Sequence, residues 1–166
     1  MLIRTVKSLA LLSSGLLAGA MGYGAVNVAQ TFKVVPLDVR LTFHAALMNM
    51  NGPVMQTAMG LAAVSAGALA VLSRGVSRLV AAGAAGLAVV TFLITRFGNV
   101  PINGQIKQWA VGQVPSDHLE ILQRWDTFNV VRSSTAATAF VAVIVIVTVL
   151  DRPRRVAADA PVALSA

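Results

Sequence analysis

The sequence predicts an all-α, polytopic membrane protein: a four-transmembrane-helix bundle with an interfacial segment between helices 1 and 2 and a polar helical connection between helices 3 and 4. Three observations carry that expectation. Hydrophobic residues make up 57% of the 166 and charged residues only 11%, against about 25% charged in an ordinary soluble domain. The apolar residues gather into four runs, at about 9–28, 53–72, 79–95 and 133–150, each near the roughly 20 residues that cross a hydrocarbon core. Basic residues sit singly or in pairs at the ends of those runs, among them Arg4 and Lys7, Arg74 and Arg78, and Arg152, Arg154 and Arg155. Headgroups and topology account for them there, so the net charge of +7 does not point to nucleic acid. Residues 1–150 form one membrane domain in this reading, and residues 151–166 a disordered cytoplasmic tail.

The first run follows Arg4 and Lys7 and precedes Lys33. A basic start and small residues at Ala18 and Ala20 imitate a signal peptide, but apolarity continues to Val28, longer than such a segment requires, and a retained span is expected. Gly15 and Gly19, with Ser14, Ala18 and Gly22, offer a smooth face for close helix packing. The segment from Val34 to Gly52 holds Pro36, Asp38, Arg40, His44, Asn49 and Asn51. That polarity argues for a place at the interface. Asn51-Gly52-Pro53 reads as a turn that starts the second span. The connection Arg74–Arg78 is so short that spans two and three must be an antiparallel hairpin. The fourth span is marked by the β-branched run Val141 to Val149.

Between spans three and four, Arg96 to Arg132 holds most of the aromatic and acidic side chains, which makes it the candidate functional region. Pro101 is expected to interrupt the chain just past the third span, where Asn99 or Asn103 can cap the turn that follows. Trp125, Asn129 and Arg132 fall on one helical stripe, with Phe128 beside it. A guanidinium at the membrane edge is costly unless paired or extended to the surface. Arg132 therefore either turns inward to Asn99, Asn103 or a ligand oxygen, or reaches headgroups with Trp125 as an interfacial anchor. His44, His118, Glu120 and Asp126 have the chemistry of general acids or bases, but their places in polar connections suggest solvated side chains. Cysteine is absent and the two histidines are distant in sequence. Disulfides, thiolate chemistry and cysteine-held metal are thereby excluded, and no metal or haem spacing is evident.

The pattern Asn99-Val-Pro101-Ile-Asn103, followed by a polar helix and Trp125-Asp-Thr-Phe-Asn129-Val-Val-Arg132 before a final span, resembles a bacterial four-helix membrane family that includes the anthrone oxygenases. The resemblance covers nearly the whole chain. It implies a four-helix bundle and, as in the characterised fungal members, oxidation of an anthrone to an anthraquinone by dioxygen with no flavin, metal or other cofactor. Carried to this chain, it makes Asn103 and Arg132 catalytic, Asn99, Trp125 and Asn129 substrate-binding, and Pro101 a structural part of the motif. It also implies a histidine at the place of Asn129, which this chain lacks. The expected location is a bacterial inner (plasma) membrane, multi-pass.

Seven Lys and Arg lie at the amino end, the middle turn and the tail; six are spread over the two longer connections, which also carry acids. The bias places both termini in the cytoplasm. Expected partners are membrane lipid and a lipophilic small molecule, aromatic or polyketide-like, with no nucleic acid. The alternative function is non-enzymatic: packing against a membrane partner or a second copy through the small-residue faces, or binding a lipophilic ligand. A transporter ranks below both, since no repeat is evident. An enzyme requires Asn99, Asn103 and Arg132 to converge in one pocket.

Overall fold

The computed structural model describes residues 1–150, and the expected tail at 151–166 lies outside the described residues. Among the described residues the chain forms four long helices and no strand. They are α1 (Leu2–Val34), α2 (Leu37–Leu72), α3 (Gly75–Trp109) and α4 (His118–Leu150), each long and apolar enough to cross a membrane. Local chemistry ends each one. Val35 precedes a proline and adopts an extended conformation (φ −91°, ψ 156°), because Pro36 excludes the helical region from the residue before it. Gly75 has φ +56°, a left-handed conformation open to glycine without strain, which reverses the chain between α2 and α3 within two residues. Gly112 and Pro115 lie in the α3–α4 connection, where His118 Nδ1 donates to the Pro115 carbonyl at 2.7 Å.

The four-helix architecture is the one expected, and the hairpin of α2 and α3 is present. Two boundaries differ. The segment expected at the interface is the first half of α2, which runs unbroken through Asn51-Gly52-Pro53. Pro53 removes one backbone hydrogen bond, a loss that membrane-type helices tolerate. The polar side chains that argued against burial are covered by protein instead of lipid: Arg40 and His44 are both buried in the bundle. Likewise, Pro101 does not interrupt the third span. A π-turn, Thr95–Asn99, immediately precedes it and the helix then continues through Trp109. An inserted residue of this kind relieves the clash between a proline ring and the preceding turn. A second π-turn, Gly24–Val28, interrupts α1.

The core is built in three layers. Nearest the termini, Ala10, Ala66, Leu69, Ala81, Ala84, Val143 and Ile146 pack together, and Leu17, Met21, Met59, Ala62, Ala88 and Ala136 form the middle layer. Small residues let the backbones approach closely here. On the small-residue face of α1, Gly15 meets the Phe140 ring of α4, whereas Gly19 and Gly22 face open space. Hydroxyl pairs cross the interfaces: Ser13 with Ser65 at 2.8 Å and Thr91 with Thr135 at 2.7 Å. The third layer is aromatic, with Phe32, Trp109 and Trp125 among Leu41, Ile102, Ile106 and Leu122. Its larger side chains hold the helices further apart, and a cavity lies between it and the methionines below.

Candidate functional site

The cavity has a volume of about 640 Å³ and takes lining from all four helices, at the end of the bundle away from Leu2 and Leu150. That size is typical of a small-molecule site. Met21, Met55 and Met59 lie on the side toward the middle layer and Phe32 and Trp125 on the aromatic side; polar groups come from Thr95, Asn103, Asn129 and Arg132, and also from Tyr23, Asn51, Gln56 and Lys107. Two of the three π-turns among the described residues border it, through Gly24 and Val28 on α1 and Thr95 on α3, while the third, Ile146–Leu150, lies at the far end of α4. Flexible methionines fill irregular space and adapt to different ligands, while the aromatic wall offers flat faces.

Hydrogen bonds fix which atoms the polar groups present. Trp125 Nε1 donates to Oδ1 of Asn103 at 2.7 Å. An indole nitrogen only donates, so the Asn103 oxygen must face it, and the amide cannot be flipped. His44 Nε2 lies 3.2 Å from the same oxygen and must therefore carry a hydrogen as well. With its oxygen accepting twice, Asn103 keeps its NH2 for the cavity. Asn129 repeats the arrangement: its Oδ1 accepts from Arg132 Nη2 at 2.8 Å and from Nε at 3.2 Å. Arg132 Nη1 also donates to Thr95 Oγ1 at 3.4 Å, and that hydroxyl donates in turn to the Thr91 carbonyl at 2.8 Å. The polar edge built by these residues thus offers N–H donors and a guanidinium. Among the described residues, no carboxylate or imidazole lines the cavity.

Behind Asn103 stands an aromatic stack. His44 is fully buried, lies parallel to Phe32 at 4.8 Å, and meets the edge of Trp125 at 4.6 Å. Arg40 sits over the other ring, 5.7 Å from the Phe32 centroid, and pairs with Asp126 at 3.7 Å. The group Arg40, Phe32, His44 and Trp125 joins α1, α2 and α4 where lipid packing gives way to a polar end.

Five of the six motif residues read from the sequence take the following places. Asn103, Trp125, Asn129 and Arg132 line one cavity, with Trp125 as its aromatic wall. Asn99 does not join them: fully buried, it donates from Nδ2 to the Trp125 carbonyl at 3.1 Å. It caps no turn either, since its own backbone is helical and it makes no side-chain cap. Its work is to tie the π-turn of α3 to α4. Arg132 turns inward, as one of the two readings expected, but its partners are Asn129 and Thr95 instead of Asn99 and Asn103. Helix geometry explains this, because Asn129 is one turn before Arg132 on the same helix. Pro101, the sixth, follows the π-turn and is exposed.

Sequence reasoning missed His44 as a buried group and Asp126 as a half-buried one. It read both as solvated, from the polarity of their neighbours. The spacing of Arg40 and His44, one helical turn apart, was a signal that α2 carries a polar stripe into the interior. His118 and Glu120 do lie at the exposed end of α4, the first partly covered and the second exposed.

Gly98 sets the distance between α3 and α4. A Cβ at this position would lie 2.8 Å from Cγ of Phe128 and within 3.0 Å of its ring, so the aromatic ring packs directly on the backbone of the π-turn.

No curated protein and no solved structure matches the chain. The family model described as anthrone oxygenase matches residues 39–149, so the α1 wall of the cavity lies outside the match. The matched segment is more than half of the chain and includes His44, Thr95, Asn103, Trp125, Asn129 and Arg132, and the chain therefore belongs to the anthrone oxygenase family.

Proposed function

We propose that the protein oxidises a planar, lipophilic aromatic molecule bearing an acidic methylene, using dioxygen and no cofactor. The observation that supports this most is the group of donors at Asn103, Asn129 and Arg132: the amide oxygens of Asn103 and Asn129 are both engaged by protein donors, which leaves their NH2 groups and Arg132 for the ligand. Such a group favours an anionic oxygen over a neutral carbonyl. An anthrone supplies one when its methylene loses a proton and the charge moves to the ring oxygen as an enolate.

Among the described residues no carboxylate or imidazole lines the cavity; in this reading the protein acts by stabilising the anion, which lowers the barrier to losing the proton to water. The electron-rich enolate then reduces dioxygen, and a carbon–oxygen bond forms at the former methylene carbon. Protonation gives a hydroperoxide, and loss of water leaves the ketone, so that the CH2 and O2 become C=O and H2O. Trp125 and Phe32 flank the rings, and Met21, Met55 and Met59 adapt to their substituents.

Membranes containing the protein are expected to take up about one dioxygen per emodin anthrone added, by the balance above, faster than membranes lacking it, with an anthraquinone as product. Uptake equal to the control refutes the oxygenase. A non-catalytic binder of the same ligands is the second reading, favoured by a described lining without carboxylate or imidazole; it predicts saturable binding without uptake.

Depth and orientation fit a lipophilic substrate. About 20 residues cross the hydrocarbon core; counted from Arg78 on α3 they reach the neighbourhood of Gly98, and counted back from Leu150 on α4 that of Val130. The cavity then straddles the membrane–water boundary, and the bias of Lys and Arg sets both termini in the cytoplasm and the cavity at the outer face of the inner membrane. A reporter fused after Ala166 is expected to be active only in the cytoplasm; activity only outside reverses the orientation.

A further inference from the structure

His44 is buried, belongs to the matched segment and has a titratable ring, yet it does not line the cavity. Besides its ring contacts with Phe32 and Trp125, its one hydrogen bond to the site is to the Oδ1 of Asn103, which it reaches from Nε2 at 3.2 Å. The other acceptor position on that oxygen is taken by Trp125 Nε1 at 2.7 Å. Nδ1 of His44 has no hydrogen-bond partner and is closed off from solvent. A histidine placed to pack alone would have no need of the Asn103 contact, and one placed as a base would show its free nitrogen to the cavity. Neither is found.

The amide of Asn103 rotates about a soft terminal torsion. With a single donor on its oxygen, that torsion is held at one lone pair only; with two donors at different angles, the plane of the amide is set, and its NH2 is aimed away from both rings. The two donors are themselves immobilised by stacking: His44 lies flat against Phe32 at 4.8 Å with an interplanar angle of 8°, and meets Trp125 at 69°. The ring of His44 is thus held from both sides, and its Nε2–H points where the packing directs it.

We propose that His44 is a positioning residue that locks the Asn103 amide with its NH2 toward the cavity, and so sets the preference of the cavity for an anionic oxygen over a neutral one. The inference rests on the reading of the cavity as a site for a lipophilic anion. It differs from the oxygenase reading in that it concerns binding alone.

The test compares anthracene-9-carboxylate with its methyl ester, a planar anion and its uncharged counterpart. Binding is measured by equilibrium dialysis against nanodiscs that hold the full-length protein or are empty. His44→Phe keeps a ring against Phe32 and Trp125 and removes the donor; it is expected to weaken the carboxylate by about 10-fold, the scale of a hydrogen bond serving a charged group, and to leave the ester within about twofold by the same scale. His44→Gln places an NH2 near the position of Nε2 and is expected to recover most of the loss. An unchanged ratio of the two affinities in His44→Phe overturns the proposal. So does an equal loss for both ligands that His44→Gln does not recover, which marks a role in packing alone. If the carboxylate preference depends on His44 while emodin anthrone drives no oxygen uptake, the positioning role stands and the oxygenase reading falls. If Asn103→Leu leaves the preference intact, the cavity reading itself is wrong and the proposal falls with it.

Discussion

Replacing Arg132 with methionine is expected to lower anthrone-dependent oxygen uptake by about 100-fold, the loss typical of removing one donor from an oxyanion site, while the bundle stays folded. Methionine retains the length and apolar stem of the side chain, so the cavity keeps its shape. What is lost is the guanidinium proposed to face the enolate and the fork that ties Asn129 to Thr95. Arg132→Lys restores a charge but not the fork: an ammonium is a point donor and cannot hold one amide oxygen with two nitrogens while reaching a hydroxyl on another helix. Its uptake is therefore expected between those of the wild type and Arg132→Met. Uptake and thermal unfolding are measured on the same detergent-purified samples. A wild-type rate in folded Arg132→Met would remove the guanidinium from the mechanism.

The second large effect concerns stability. Gly98→Ala is expected to cost about 1–3 kcal/mol, the range for overpacking a close-packed contact, read as a lower unfolding temperature. Its Cβ would meet Phe128 at Cγ, 2.8 Å away, with both Cδ atoms within 3.0 Å, so turning the ring about its own axis does not open the contact. The clash must be relieved by parting α3 from α4 at the π-turn, the place where Asn99 bonds the Trp125 carbonyl and Thr95 receives Arg132. Phe128→Ala in the same chain removes the obstructing ring. The double variant is expected to be more stable than the sum of the two single changes allows, a coupling that a double-mutant cycle measures directly. Gly15→Ala provides the contrast: its nearest neighbour is the far edge of the Phe140 ring, at 3.0 Å, which can swing aside. Equal melting temperatures for Gly98→Ala and wild type would show that the helices are free to separate there.

Much of this protein is legible before any coordinates. Four apolar runs, a hairpin forced by a two-arginine turn, and the stripe of Trp125, Asn129 and Arg132 follow from chain periodicity and from the energy of polar groups in hydrocarbon, which depend on composition and spacing alone. The same energy rule did not reveal what covers the first half of α2. Arg40 and His44 are unfavourable in lipid, but lipid is not what surrounds them; Phe32 of α1 and Asp126 of α4 are. A rule about one helix in a bilayer does not register the other three.

Pro101 illustrates the same point at shorter range, since a proline predicts an interruption and only the packed helix reveals that a π-turn has absorbed it. Sequence by itself determined the fold class, the number of spans and the candidate polar residues, because each is a property of a segment. Tertiary structure alone decided that the Asn103 oxygen meets Trp125 and His44, and that Asn99 serves the backbone of α4. The physical reason is that hydrogen-bond direction depends on partners from other helices, brought within about 3 Å of one another only when the bundle closes.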